Sequence, residues 1–279
     1  MTSETTVRRT SAGMRSLLWA AGALVALAGF QLFVFTERTD RYFAWTIDRP
    51  LTAAFLGAAY WSSLAIEWTA ARRRMWADAR IAVPTAFTFT FLTFVATMLH
   101  IDRFHLGSEF ETATRAVTWI WIAVYTTVPV MMAVLAVRQW RAPGADPARV
   151  ARLPVWLRWL LVNQAVLLAA VGIVLLVAPE QTGLRWPWEL TPLTARAIGA
   201  WVFSLGVAAA HAAWENDAVR LRPAGAAYLA FGLLQLLALA RYPGDMSWAG
   251  VAGIGYLAFL ASALLVGATT WWLGRRHGG

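Results

Sequence analysis

The chain has 279 residues, 59% hydrophobic and only 14% charged, with a net charge of +9 and no cysteine. Apolar blocks of about 18 residues or more read as membrane-spanning helices and exclude a soluble fold. The missing thiols exclude a disulfide framework and any thiolate metal or redox site. All 24 basic residues are arginine, a bias that, with the abundance of Ala, Gly and Trp, points to a high-GC bacterial genome rather than to a function.

Eight apolar segments follow in chain order, near residues 14–36, 51–69, 81–100, 116–138, 154–178, 193–213, 224–241 and 248–273. Each is about long enough to cross ~30 Å of hydrocarbon at 1.5 Å per residue. The second and seventh are the shortest. With eight spans, one side holds both termini and the second, fourth and sixth loops, and it carries 16 arginines against eight on the other. The positive-inside rule then places both termini in the cytoplasm, in a bacterial inner membrane. The basic excess is spread over short loops between spans, which gives nucleic-acid binding no support. The partner this composition implies is the lipid bilayer, and beyond it a small solute or ion; self-association and protein partners stay open.

The first apolar run superficially resembles a twin-arginine signal, with Arg8-Arg9 ahead of Ala26-x-Ala28. An internal duplication argues otherwise. Segment 15–45 aligns without a gap to 158–188, matching Arg15 with Arg158, Leu24 with Leu167, Gly29 with Gly172 and Glu37 with Glu180. The first run is therefore the counterpart of the fifth, an internal helix expected to stay in the mature protein.

The duplication is clearest just beyond these runs. Glu37-x-Thr39-x-x-x-Phe43-x-Trp45 and Pro50-Leu51-Thr52-Ala53-x-x-x-Gly57-Ala58 return as Glu180-x-Thr182-x-x-x-Trp186-x-Trp188 and Pro192-Leu193-Thr194-Ala195-x-x-x-Gly199-Ala200. Four spans per unit give both units the same orientation. The expected fold is an all-α membrane protein of eight transmembrane helices, built as two parallel four-helix repeats about a pseudo-two-fold axis along the membrane normal. Residues 1–141 hold the N-terminal tail and first repeat, 142–153 a Pro- and Gly-containing cytoplasmic linker, and 154–279 the second repeat.

Each part of the doubled motif has a structural explanation. Trp45 and Trp188 suit anchors at headgroup depth, Pro50 and Pro192 suit a first helical turn, and Ala53-x-x-x-Gly57 with Ala195-x-x-x-Gly199 lets another helix approach closely. A functional reading makes Glu37, Trp45, Glu180 and Trp188, with Arg196, an outer vestibule. Arg196 replaces Ala54 of the first unit; it suits an anionic substrate or headgroup there, or an ion pair with Glu37, Asp40, Asp48 or Glu180. The third span carries Thr90, Thr93 and Thr97 as a stripe that lines a polar path or bonds its own backbone.

Ionisable residues at membrane depth cost several kcal/mol unless paired or hydrated, so each is a candidate by default. Glu67 is the only carboxylate within an apolar run, and His211 lies at a similar level of the counterpart helix. Facing each other they would form a proton relay; otherwise Glu67 pairs with Arg72, Arg73 or Arg74 and His211 sits near Glu215. At the outer end of the third span, His100, Asp102 and His105 bring imidazole and carboxylate together as a divalent-metal set. Their spacing does not stack them on one helix face, and a capped, solvated helix end is the alternative. A bis-histidine haem needs two imidazoles at one depth, which His100 and His211 do not supply. No cofactor is predicted, with single-histidine haem ligation and a divalent metal left open. No Walker loop, Rossmann fingerprint or GxSxG elbow is present.

The Trp-rich repeat, the arginine-only basicity and the His100-Ile101-Asp102-Arg103-Phe104-His105 lip resemble uncharacterised multi-pass integral membrane proteins of high-GC bacteria. The resemblance implies no activity and no catalytic residue. The leading expectation is a permease-like transporter with its path near the repeat interface. The alternatives are a non-catalytic membrane assembly or envelope subunit and, third, a membrane-embedded redox or metal-binding enzyme.

Overall fold

The computed structural model describes residues 6–278; the first five residues of the tail and Gly279 fall outside it. Eight long helices dominate: α1 Ala12–Val34, α2 Pro50–Arg72, α3 Ala82–Leu99, α4 Thr112–Trp140, α5 Val155–Val177, α6 Pro192–Glu215, α7 Ala218–Arg241 and α8 Val251–His277. Each lies within a few residues of one apolar run. Local chemistry sets the starts. Ser11 accepts from the Met14 amide at 3.3 Å, Thr191 from Thr194 at 3.3 Å and Asp217 from Val219 at 3.0 Å, while Pro50 and Pro192 open their helices at positions that need no amide hydrogen. Asn216 takes the left-handed conformation (φ 49°) that ends α6 one residue before the Asp217 cap.

Seven of these helices are long and apolar enough to cross a membrane, so the chain is a polytopic membrane protein. The exception is α2, and its packing explains its composition. Leu51 to Tyr60 is an unbroken run of buried residues, many of them small, because α1 packs along one side of α2 and α7 along another. A helix enclosed by protein has little lipid-facing surface to fill with Leu and Ile.

The remaining packing is reciprocal. α1 lies on α2 and α5 on α6, while α7 packs on α2 and α3 packs on α6, so the third long helix of each half crosses to the second long helix of the other. α4 and α8 close the outside against α3 and α7. The N-terminal tail is woven into the same end as the 142–153 segment: the Arg8 amide donates to Ala145 O at 3.0 Å and the Thr10 amide to Arg74 O at 2.8 Å. Gln139, 1% exposed, both accepts from the Ser11 amide and donates to Arg9 O, each at 2.8 Å.

Close approach depends on glycine. A Cβ on Gly57 would stand 2.5 Å from the Phe33 nitrogen, and one on Gly172 would stand 2.6 Å from the Phe203 nitrogen. Neither neighbour is a side-chain tip that can swing aside. Gly57→Val is therefore expected to force α1 and α2 apart at a cost of about 1–3 kcal/mol, read as a lowered midpoint of thermal unfolding in detergent. An unchanged midpoint would refute the close approach.

Candidate functional site

Glu67 sits on the face of α2 that turns from the bundle centre toward α1 and α3. It is 4% exposed, its Oε2 has no hydrogen-bond partner, and it makes no ion pair among the described residues. It borders a cavity of about 140 Å³ between α1, α2, α3 and α4, with Gln31, Ser63, Thr85, Thr90 and Tyr125 also on the walls. Most of these polar groups are already occupied. Ser63 donates to Tyr60 O at 2.7 Å, Thr90 to Ala86 O at 2.8 Å, and the Tyr60 and Tyr125 hydroxyls meet at 2.5 Å. Gln31 is half-buried and makes no side-chain hydrogen bond, and Glu67 is the buried group left unanswered. Its nominal arginine partners Arg72, Arg73 and Arg74 form no ion pair with it.

The threonine stripe of α3 largely bonds its own backbone. Thr97 donates to Thr93 O at 2.8 Å and accepts from Trp121 Nε1 at 3.1 Å, while the buried Thr93 hydroxyl has no partner. Above Glu67 the centre is filled with rings: Phe89 lies 3.9 Å from Trp201 and Tyr60 5.1 Å from Trp201, centroid to centroid. A second apolar cavity, lined by Ser62, Thr85, Trp201, Leu205 and Tyr228, adjoins the first where α2, α3, α6 and α7 meet.

His211 is drawn elsewhere. Its Nε2 lies 3.9 Å from Glu215 Oε2, and its ring packs on Trp214. No hydrogen bond or ion pair joins His211 to Glu67. Glu215, 1% exposed, is the centre of an ionic hub that sequence reasoning passed over. Arg80 reaches it at 2.6 Å, Arg220 at 2.7 Å and Arg149 at 3.8 Å. Arg80 also pairs with Asp146, while the buried Asp217 accepts from the Val150 amide at 2.8 Å. The 142–153 segment is thereby bound to the ends of α6 and α7. The only sequence signal was the crowding of Glu215, Asp217 and Arg220 at a helix junction.

The six-residue lip does not assemble a metal set, and no cluster of three or more His, Asp or Glu suited to a metal occurs among the described residues. His100 Nε2 receives Arg196 at 2.5 Å, and Asp102 pairs with Arg103 at 3.2 Å. His105 is 2% exposed; its Nδ1 bonds Phe43 O at 2.9 Å and its Nε2 bonds Thr46 Oγ1 at 3.0 Å. Burial, and after it the Arg196 guanidinium, hold the His100 imidazole below its usual value, which suits a ring that accepts from arginine. Arg196 spends its Nε on Leu176 O at 3.1 Å and pairs with none of Glu37, Asp40, Asp48 and Glu180.

The doubled tryptophans are not headgroup anchors. Trp45 and Trp188 are each 3% exposed, Trp45 among Phe43, Phe104 and Trp121, and Trp188 among Phe55, Trp186 and Tyr256. The Trp188 Nε1–H crosses to the other half and donates to Thr52 Oγ1 at 2.9 Å. Large rings bury more apolar area inside the bundle than an interfacial position would cover. Glu37 and Glu180 stay exposed. Between the two loops lies instead a cleft of about 390 Å³ lined by Asp48, Arg49, Thr52, Glu189, Thr191 and Thr194, and bridged by Arg49–Glu189 at 2.6 Å.

No family model, curated protein or solved structure matches the chain. The residues themselves carry the functional argument.

Two measurements follow from this geometry. Glu215→Ala leaves Arg80 and Arg220 facing each other in a buried site, and is expected to cost about 3–5 kcal/mol, seen as a lowered unfolding midpoint in detergent; a shift of under about 1 kcal/mol would show the hub to be solvated. Burial holds the His105 imidazole below its ordinary 6.5, against the raising effect of the Phe43 carbonyl. As pH falls through that value the unfolded chain takes up a proton and the folded one does not, so stability declines toward acid. His105→Gln is expected to flatten the loss of stability between about pH 7 and about pH 5; an equally steep loss in the variant would assign it to other groups.

Proposed function

We propose that the protein is a permease-like transporter of the bacterial inner membrane whose path runs beside the interface between two parallel four-helix repeats. In this reading all eight long helices span the bilayer and both termini are cytoplasmic. The observation that carries it is Glu67: a buried carboxyl without a partner, bordering a cavity inside the bundle. An unpaired carboxylate at such a place costs several kcal/mol unless a proton or cation accompanies it. A carboxyl that must take and release such an ion while a cavity opens and closes is a coupling site. Tyr60, Phe89 and Trp201 form the barrier between this cavity and the cleft at Arg49 and Glu189.

The reciprocal packing of α2 on α7 and α3 on α6 supports the repeat. So do matched local contacts. Arg15 Nε donates to Ala71 O at 3.0 Å, and its counterpart Arg158 Nε donates to Ala213 O at 3.1 Å, each closing the end of its half's second long helix. His211 belongs to the Glu215 hub, and the proton site of this reading rests on Glu67.

The test is proteoliposomes loaded with a pH-sensitive dye and exposed to a panel of small solutes. At least one solute is expected to shift lumenal pH, with the rate reduced about a hundredfold or more in Glu67→Gln, as for loss of a proton-transfer group. Solute-driven shifts of equal rate in the variant would remove Glu67 from the mechanism. The ring-filled centre favours a second reading, a non-catalytic assembly subunit, which a stable co-purifying partner and no solute movement would establish.

A further inference from the structure

A groove in the second half of the chain opens sideways between α5 and α8. These two helices pack mainly on α6 and α7 and touch each other only lightly, and the groove follows α5 from Leu160 to Val171. That run is about 17 Å long at 1.5 Å per residue, close to the ~15 Å of one hydrocarbon leaflet. Its rim is exposed and mostly apolar, with Leu167 and Val251 at the edge.

Four polar side chains stand on the wall, Asn163 and Arg185 at exposed positions and Gln164 with Ser262 deeper between α5 and α8; of these only Gln164 is buried. Gln164, on α5, is 5% exposed. Its Nε2 donates to Ser262 Oγ of α8 at 2.9 Å, and the Ser262 hydroxyl donates to Phe259 O at 2.7 Å. The Gln164 Oε1 has no partner. Turning the amide over only exchanges which atom is left unanswered. A buried amide acceptor without a donor costs about 1–3 kcal/mol, and hydrocarbon offers it no water. Packing does not demand the residue, since the matched position of α1 is Ala21.

We propose that this groove binds a membrane-soluble long-chain alcohol, whose apolar body lies along α5 and α8 and whose hydroxyl donates to Gln164. The chemistry selects that class. An ordinary acyl chain fills the groove without meeting the amide, and a charged headgroup does not descend to it. The site is separate from Glu67, which borders the other half's cavity.

The test uses the full-length protein in phosphatidylcholine nanodiscs, with hexadecanol carrying a chain diazirine as probe and the matching diazirine hexadecane as comparison. Photolabelling of residues 160–171 and 251–262, mapped by mass spectrometry, is expected to favour the alcohol about fivefold, the worth of one buried hydrogen bond. Gln164→Ala, the residue of the first half, is expected to lower alcohol labelling to the hydrocarbon level, whereas Glu67→Gln leaves it unchanged. Equal labelling by both probes, or undiminished alcohol labelling in Gln164→Ala, would overturn the proposal. Should that variant not fold, competition on the unaltered protein decides: displacement of the alcohol probe by unlabelled hexadecanol but not hexadecane supports the site, and equal displacement by both overturns it.

Discussion

Backbone-to-backbone approach at a few glycines is the constraint on which the bundle depends. In hydrocarbon, helices gain nothing from hiding apolar surface, so association rests on contact area and internal hydrogen bonds. Gly57 against Phe33 and Gly172 against Phe203 bring α1 onto α2 and α5 onto α6 at the distance where such contact is dense. Once those pairs are closed, the buried faces of α2 and α6 are available to α7 and α3 from the opposite halves. The aromatic filling of the centre follows, because Tyr60 and Trp201 project from these helices into the space the crossing leaves.

Polar groups in this setting have few places to go, and the arginines show the solution. Arg15, Arg158, Arg196 and Arg241 each donate to a backbone carbonyl in or beside the end of a long helix, where carbonyls lack intrahelical partners. All four stand in the first or last turns of a long helix of their own, so each joins the end of one helix to the end of its neighbour. Against that background, ten buried side-chain nitrogen or oxygen atoms among the described residues have no partner. Glu67, Gln164 and Thr93 each keep a buried polar atom unanswered.

The helix limits were legible in the sequence because apolar runs and the prolines at positions 50 and 192 act locally. The enclosed nature of α2 was visible only as a shorter, Ala- and Gly-richer run, since enclosure is a property of neighbours and not of the segment. Trp45 and Trp188 were misread for a related reason. An amphipathic ring suits both an interface and a core, and only the positions of Phe104, Trp121 and Tyr256 decide between them. Glu67 stood out as the lone carboxylate of an apolar run, whereas its pairing with His211 required a facing of two helices that sequence does not specify. The Glu215 hub draws Arg80, Asp146, Arg149 and Arg220 from three separate segments, so no local pattern announced it.

The crossing of third helices between halves bears on how the chain is made. Gln235 of α7 donates to Phe55 O of α2 at 3.0 Å across 180 residues of sequence, and α3 meets α6 only after the linker and α5 have been synthesised. The first four long helices therefore emerge from the ribosome with the inner face of α2 unclaimed, and that face is rich in alanine and glycine rather than in residues that hold themselves in lipid. Until α7 arrives, that face of α2 lacks the partner it has in the finished bundle.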